Sequence, residues 1–173
     1  EAYEFVDFLS EAGQSYWQIL PLGQTGYGDS PYQSFSTFAG NPYFVDPQML
    51  IDEGYIGEEE AEAYDFGSDQ RTVDYEKIYK RRYTLLRNAF HNSPYSLHPE
   101  GKWAGEAYDG KRAAFAAFIA ENRFWLADYA LFTAIKERYK GKMFIYWPKE
   151  IRLRDPEELE KLRTELADEI RFI

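Results

Sequence analysis

Only one stretch of this chain has the pattern of a buried strand. SYWQIL, residues 15–20, is short, aromatic and β-branched, and lies between Gly13 and Pro21. The other patterned stretches repeat at helical spacing. A lone strand leaves backbone N–H and C=O groups unpaired along both edges, so it needs neighbours. Two readings follow. Either the strand belongs to a sheet completed by more of a longer chain, or the run is merely extended within an α-rich domain. The ends favour the first. Glu1 opens inside a helical pattern with no cap before it, and Phe172-Ile173 stand in an unfinished amphipathic pattern. The expectation is a fragment of a longer protein.

The helices announce themselves through caps and stripes. Phe5, Phe8, Leu9 and Ala12 form a stripe over residues 1–12, with Gly13 as the stop. Asp46 and Pro47 read as N-cap and first helical residue of a short helix that Gly54 ends. Residues 57–64 give another short, acidic helix. Asp74 caps a longer one through Ile78, Tyr79, Leu85, Leu86 and Phe90, closed by the loop of residues 91–101. Residues 111–139 are strongly helical, with Asn122 placed to bend or divide them. Asp155, Pro156 and Glu158 open a last helix whose stripe is Leu159, Leu162, Leu166 and Ile170. About seven helices and one strand are expected.

Composition removes several functions. Thirty acids face twenty bases, and a net charge of −10 repels phosphate backbones, so nucleic acid is not an expected partner. No apolar run is long enough for a membrane span, and no membrane partner is expected. The chain has no cysteine, which excludes disulfides, thiolate metal sites and a cysteine nucleophile, and fits a cytoplasmic location. A neutral polar ligand meets no such barrier. Aromatic residues reach 18%, with fifteen Tyr, and a tyrosine joins a flat apolar face to a polar edge.

The helix–glycine–strand order of residues 1–20 is the αβ step of an α/β protein, in which the loop after a strand faces the ligand site. That loop here is LPLGQTGYGDSPYQSFSTFAGNPY, residues 20–43, with four of the twelve glycines and three of the eight prolines. Gly26 and Gly28 flank Tyr27 and leave its ring little cover. Gly28 is placed to hold a positive φ. Asp29 and Ser30 add an acceptor and a hydroxyl, and Pro31 stiffens the turn that presents Tyr32 and Gln33. Rings beside small hydrogen-bonding groups suit a sugar, whose CH faces stack while its hydroxyls pair. The same residues also fit a rigid structural loop in which Tyr27 and Tyr32 simply pack, and the local pattern leaves both open.

The stretch YWQILPLGQTGYGDSPYQSFSTFAGNPY, residues 16–43, closely resembles the N-terminal signature of the 4-α-glucanotransferases, the amylomaltases or disproportionating enzymes of glycoside hydrolase family 77. VDYEKIYKRRYTLLRNAF and ENRFWLADYALFTAIKERYKGKMFIYWP resemble the family's helical insertion, so the likeness spans essentially the whole chain, more loosely after Val45. Gln24 stands where the family often has Pro. The resemblance implies an α/β fold: the N-terminal portion of a (β/α)₈ TIM barrel with a mostly helical inserted subdomain, the fragment itself being predominantly helical. Residues 1–45 would start the barrel, 46–150 form the insertion and 151–173 lead back. The implied parent cleaves α-1,4-glucans and passes the piece to another maltodextrin. It works by retention, through an Asp nucleophile, a Glu acid–base and a supporting Asp, all expected beyond Ile173. No catalytic residue is therefore expected in this chain. The resemblance puts Ser30 and Tyr32 on the donor side of the cleft. Asp29 and Gln33 supply hydrogen bonds, Tyr27 a stacking platform, and Tyr79 either a further ring from the insertion or a packing contact.

Other motifs fail on spacing. Asp65-Phe66-Gly67 lacks every companion of a kinase metal loop. His91 and His98 are too few for a metal site, and Asp65, Asp69 and Asp74 miss the EF-hand spacing, so no metal or cofactor is expected. Two other classes remain. One is a stand-alone module gripping glucans through Tyr27 and Tyr32. The other is a helical interaction domain without ligand, whose exposed apolar surface serves a partner chain. A truncated barrel would also expose such surface and self-associate through it.

Overall fold

The computed structural model describes residues 2–26, 28, 30–67 and 71–173. Glu1, Tyr27, Asp29 and Asp69, each singled out above, lie outside the described residues. The chain forms two compact units, Glu1–Pro42 and Tyr43–Ile173.

The first unit opens with α1 (Ala2–Glu11). Its end follows the glycine rule: Gly13 takes a left-handed φ of 73°, and the Gly13 and Gln14 amides donate to the Ser10 and Leu9 carbonyls at 3.0 and 2.8 Å. The Phe5 ring meets Trp17 edge-on, with centroids 4.9 Å apart. The strand expected at residues 15–20 does not form. Residues 14–22 have no regular structure, and Tyr16, Trp17, Ile19 and Leu20 are all exposed. The reason is pairing. The segment has the side chains of a buried strand, but no neighbouring strand among the described residues takes its backbone groups. Among the described residues one antiparallel bridge forms, Gly23 to Gly40, further on, and it closes the loop of residues 24–39 at its base.

The second unit is helical. After a 3₁₀ turn at Pro42–Phe44 come α2 (Pro47–Asp52), α3 (Glu58–Glu62) and α4 (Tyr75–His91). Then follow α5 (Asp109–Glu121), α6 (Arg123–Arg138), α7 (Lys149–Arg152), α8 (Pro156–Glu165) and α9 (Ala167–Phe172). The caps expected from the sequence are in place. Asp46 accepts from the Gln48 amide, Asp74 from Lys77, and Asp155 from both Glu157 and Glu158. Gly54, at φ 72°, ends α2. Asn122 does divide the long helical pattern: its side-chain amide donates to the Phe118 carbonyl at the end of α5, and its oxygen accepts from the Trp125 indole N–H in α6. The last helix also divides, at Leu166, which the sequence does not announce.

Two apolar clusters hold this unit. Leu85, Leu86 and Ala89 of α4 pack with Tyr55, Ile56 and Trp103. Leu131, Ala134 and Ile135 of α6 pack with Trp147, Ile151, Leu159, Leu162 and Leu166. Trp147 is fixed by its indole N–H, which donates to the Lys142 carbonyl at 3.1 Å. By contrast α5, apolar on most sides, has no buried residue.

Candidate functional site

The loop of residues 24–39 carries its own bracing. The Ser36 hydroxyl accepts from the amides of Phe38 and Ala39, each at 3.1 Å. The Ser34 hydroxyl donates to the Ser36 carbonyl at 2.8 Å and accepts from the Ser36 amide at 3.4 Å. Such serine turns are local and brace residues 34–39 from within. At the base, Gly23 lies so close to Ser34 that a Cβ there would stand 2.4 Å from the Ser34 hydroxyl oxygen. Gly28 has φ 89°, the positive value that its place beside Tyr27 called for.

The expected binding residues fall in three places. Ser30, Pro31, Tyr32 and Gln33 make one β-turn, in which the Gln33 amide donates to the Ser30 carbonyl at 3.1 Å and Pro31 takes the second position. Ser30 is half-buried, Gln33 is exposed, and the Tyr32 ring at the tip is 74% exposed. The turn therefore brings Ser30, Tyr32 and Gln33 together with the ring outward. Tyr27 and Asp29 lie outside the described residues. Tyr79 belongs to the second unit, on α4, and is 72% exposed. The two lysines that flank it on that helix are paired: Lys77 with Asp65 at 2.5 Å, and Lys80 with Glu76. Lys77, the Gly67 amide and Arg81 together hold the Asp65 carboxyl below the usual carboxylate range.

Chemically, the loop can stack and hydrogen-bond a neutral polyol. It cannot by itself supply the paired carboxylates of glycoside cleavage, since Asp29 is the one acid among residues 24–39.

In the second unit, one buried charge is not announced by the sequence. Arg82 is buried on the apolar face of α4, in register with Ile78, Leu85 and Ala89. Its guanidinium donates to the carbonyl of Tyr43 at 3.0 Å and to that of Val45, and it lies 5.4 Å from the Phe66 ring centroid. Burial lowers its pKa, which the nearby Asp46 carboxylate partly offsets. The available signal was a cation at a core position of an amphipathic helix.

The profile of the family described as 4-alpha-glucanotransferase, glycoside hydrolase family 77, matches residues 1–173. A 4-alpha-glucanotransferase of Clostridium butyricum is 42% identical over 172 residues, covering 99% of this chain and 32% of the relative. One from Thermus thermophilus is 44% identical over 172 residues, covering 99% and 31%. The chain thus spans about a third of the length of these relatives. Among solved structures, an amylomaltase from Streptococcus agalactiae in complex with acarbose superposes with a TM-score of 0.82 at 37% identity. The match covers 99% of this chain and 32% of that one.

Proposed function

This chain belongs to the 4-alpha-glucanotransferase family, and from that premise we propose that it is the substrate-gripping portion of an enzyme that moves α-1,4-glucan segments between maltodextrins. The observation that carries the reading is the outward Tyr32 ring on a self-braced turn with Ser30 and Gln33. It lies in a chain matched over its length by that family. Tyr32 stacks on a glucose unit while Ser30 and Gln33 pair with its hydroxyls. Tyr27 is assigned a further stacking ring and Asp29 a hydrogen-bond acceptor from the sequence alone, and Tyr79 offers a separate ring on the helical unit. The net charge of −10 leaves a neutral glucan free to approach. That the structurally similar Streptococcus agalactiae protein is described with acarbose supports a sugar ligand.

In this reading residues 1–45 begin a (β/α)₈ barrel, 46–150 form a helical insertion and 151–173 lead back to the barrel. Strands supplied elsewhere in the protein would pair residues 15–20. The retaining carboxylates belong to later barrel strands, so this segment binds donor glucan and leaves the covalent steps to them. The protein works in the cytoplasm, in keeping with its lack of cysteine.

The test uses the full-length protein and maltotriose. Transfer yields glucose together with chains longer than the substrate, whereas simple hydrolysis to glucose and maltose refutes the reading. Tyr32→Ala should lower kcat/KM for transfer by about tenfold or more, the scale of losing one stacked aromatic contact.

A further inference from the structure

Residues 155–173 carry the pattern of one helix, with a stripe of Leu159, Leu162, Leu166 and Ile170, yet the helix breaks at Leu166. The Leu166 amide donates to the Leu162 carbonyl at 2.9 Å, and the next bond across the break runs from the Ile170 amide to the Leu166 carbonyl, also at 2.9 Å. The ladder thus skips the amides of Ala167, Asp168 and Glu169. Nothing local asks for this. Glu165, Leu166 and Ala167 are good helix formers, and no Gly or Pro follows Pro156. The Thr164 hydroxyl donates to the Glu160 carbonyl, which bends a helix without interrupting it. The break is therefore held by distant partners.

Those partners belong to one apolar cluster, and the helix before the break belongs to the other. Leu159, Leu162 and Leu166 are part of the cluster around α6, against which Ile170 and Ile173 also pack. Past the break, Arg171 and Phe172 reach the cluster around α4. Arg171 Nε donates to the Tyr95 carbonyl at 2.9 Å, and its guanidinium lies over the Phe115 ring, 4.5 Å from the centroid. Tyr95 in turn meets the buried Tyr55 ring edge-on at 6.1 Å. The Phe172 ring meets Phe90 of α4 edge-on at 5.5 Å, with the Arg87 guanidinium 4.5 Å from its centroid. Arg87 also pairs with Glu137 of α6, but a part-exposed ion pair contributes little.

We infer that α9 is a strap. Bent at Leu166, it couples the two clusters of the helical unit, and it straightens onto α8 once Arg171 and Phe172 lose their hold. The skipped helical bonds oppose the bend, and the contacts to Tyr95, Phe115 and Phe90 outweigh them. The strap concerns the helical unit alone and is independent of what binds at Tyr32.

Amide hydrogen exchange on the full-length protein tests it. The release variant is Arg171→Met with Phe172→Ala, and the control is Ile170→Ala, which weakens the same helix against the other cluster. In the release variant the Leu85, Leu86 and Ala89 amides of α4 should exchange about tenfold faster, while those of Leu159 and Leu162 in α8 change by less than about threefold. The Ala167, Asp168 and Glu169 amides should instead slow by about fivefold, as the ladder closes through the break. General loosening would not slow any amide. Ile170→Ala should speed α8 and leave these three amides no slower than in wild type. Equal acceleration of α4 and α8 in the release variant, or no slowing at residues 167–169, overturns the inference. Should that variant not fold, Phe172→Leu, which keeps apolar bulk but loses both ring contacts, must show the same two signs at smaller amplitude. Their absence there overturns it as well.

Discussion

Replacing Gly23 by Ala should open the loop at its base. The added Cβ would sit 2.4 Å from the Ser34 hydroxyl oxygen, 3.0 Å from the Ser34 Cβ and 3.3 Å from the Ser36 carbonyl oxygen. The hydroxyl can rotate away, but it then gives up its 2.8 Å bond to the Ser36 carbonyl and the 3.4 Å bond from the Ser36 amide. That loss is worth about 1 kcal/mol. The Cβ and carbonyl contacts remain after rotation, and displacing a backbone turn by a few tenths of an ångström adds about 1 kcal/mol of overpacking. Against this, Ala reduces the freedom of the open chain by about 0.4–1 kcal/mol. The net is about 1–2 kcal/mol against loop closure, a factor of about 5–30 in its opening equilibrium. Amide hydrogen exchange reads this directly, because the Phe38 and Ala39 amides are held by the Ser36 hydroxyl within the same turn. Both should exchange faster by that factor, while the amides of α4 and α6 stay unchanged. Adding Ser34→Gly removes the offending Cβ and hydroxyl together, so the double-mutant cycle should show a favourable coupling of about 1 kcal/mol. Wild-type exchange in the Ala variant, or an additive cycle, refutes the steric argument.

Three further outcomes follow from the same geometry. Gly28→Val forces a β-branched residue to φ 89° and should cost about 1–2 kcal/mol, confined to the loop: glucan transfer weakens while the far-ultraviolet circular dichroism of the helices stays the same. Asp155→Ala frees the Glu157 and Glu158 amides and should lower the denaturation midpoint by an amount equivalent to about 1 kcal/mol. Burial pushes the Tyr55 hydroxyl up to about 12, against a partly opposing hydrogen bond from Lys111. Its neutral form is thus favoured in the fold, so its contribution is complete below pH 10 and is lost as pH rises toward 12. Lys111, raised chiefly by Glu53, adds loss of the same sign. Tyr55→Phe should therefore flatten, without abolishing, the fall in unfolding free energy across that window.

Features set by near neighbours were legible in the sequence. Asp46, Asp74 and Asp155 cap helices through amides two or three residues on, and Gly13 and Gly54 end them through one left-handed residue each. Asn122 divides α5 from α6 through Phe118 and Trp125, both within a helical turn. Features set by distant partners were not. Residues 15–20 have every side-chain mark of a strand, but strand formation is decided by a neighbour that the local pattern does not contain. Arg82 was unremarkable in sequence because its acceptors lie 37 and 39 residues away and are backbone carbonyls, which no side-chain pattern records. The candidate site was legible for the first reason: the turn of Ser30, Tyr32 and Gln33 could be read from Pro31 and the small polar residues around it.

Among the described residues, the Gly23–Gly40 bridge, the turn at Pro31 and the Ser34 and Ser36 hydroxyls brace the loop from within. A ligand reaching the Tyr32 ring meets a surface whose chain freedom was surrendered when the protein folded. For the glucan proposed to bind here, little would remain to be ordered on contact, so the entropy that a slack segment would lose at each encounter would not erode affinity for a flexible chain that has its own torsions to give up.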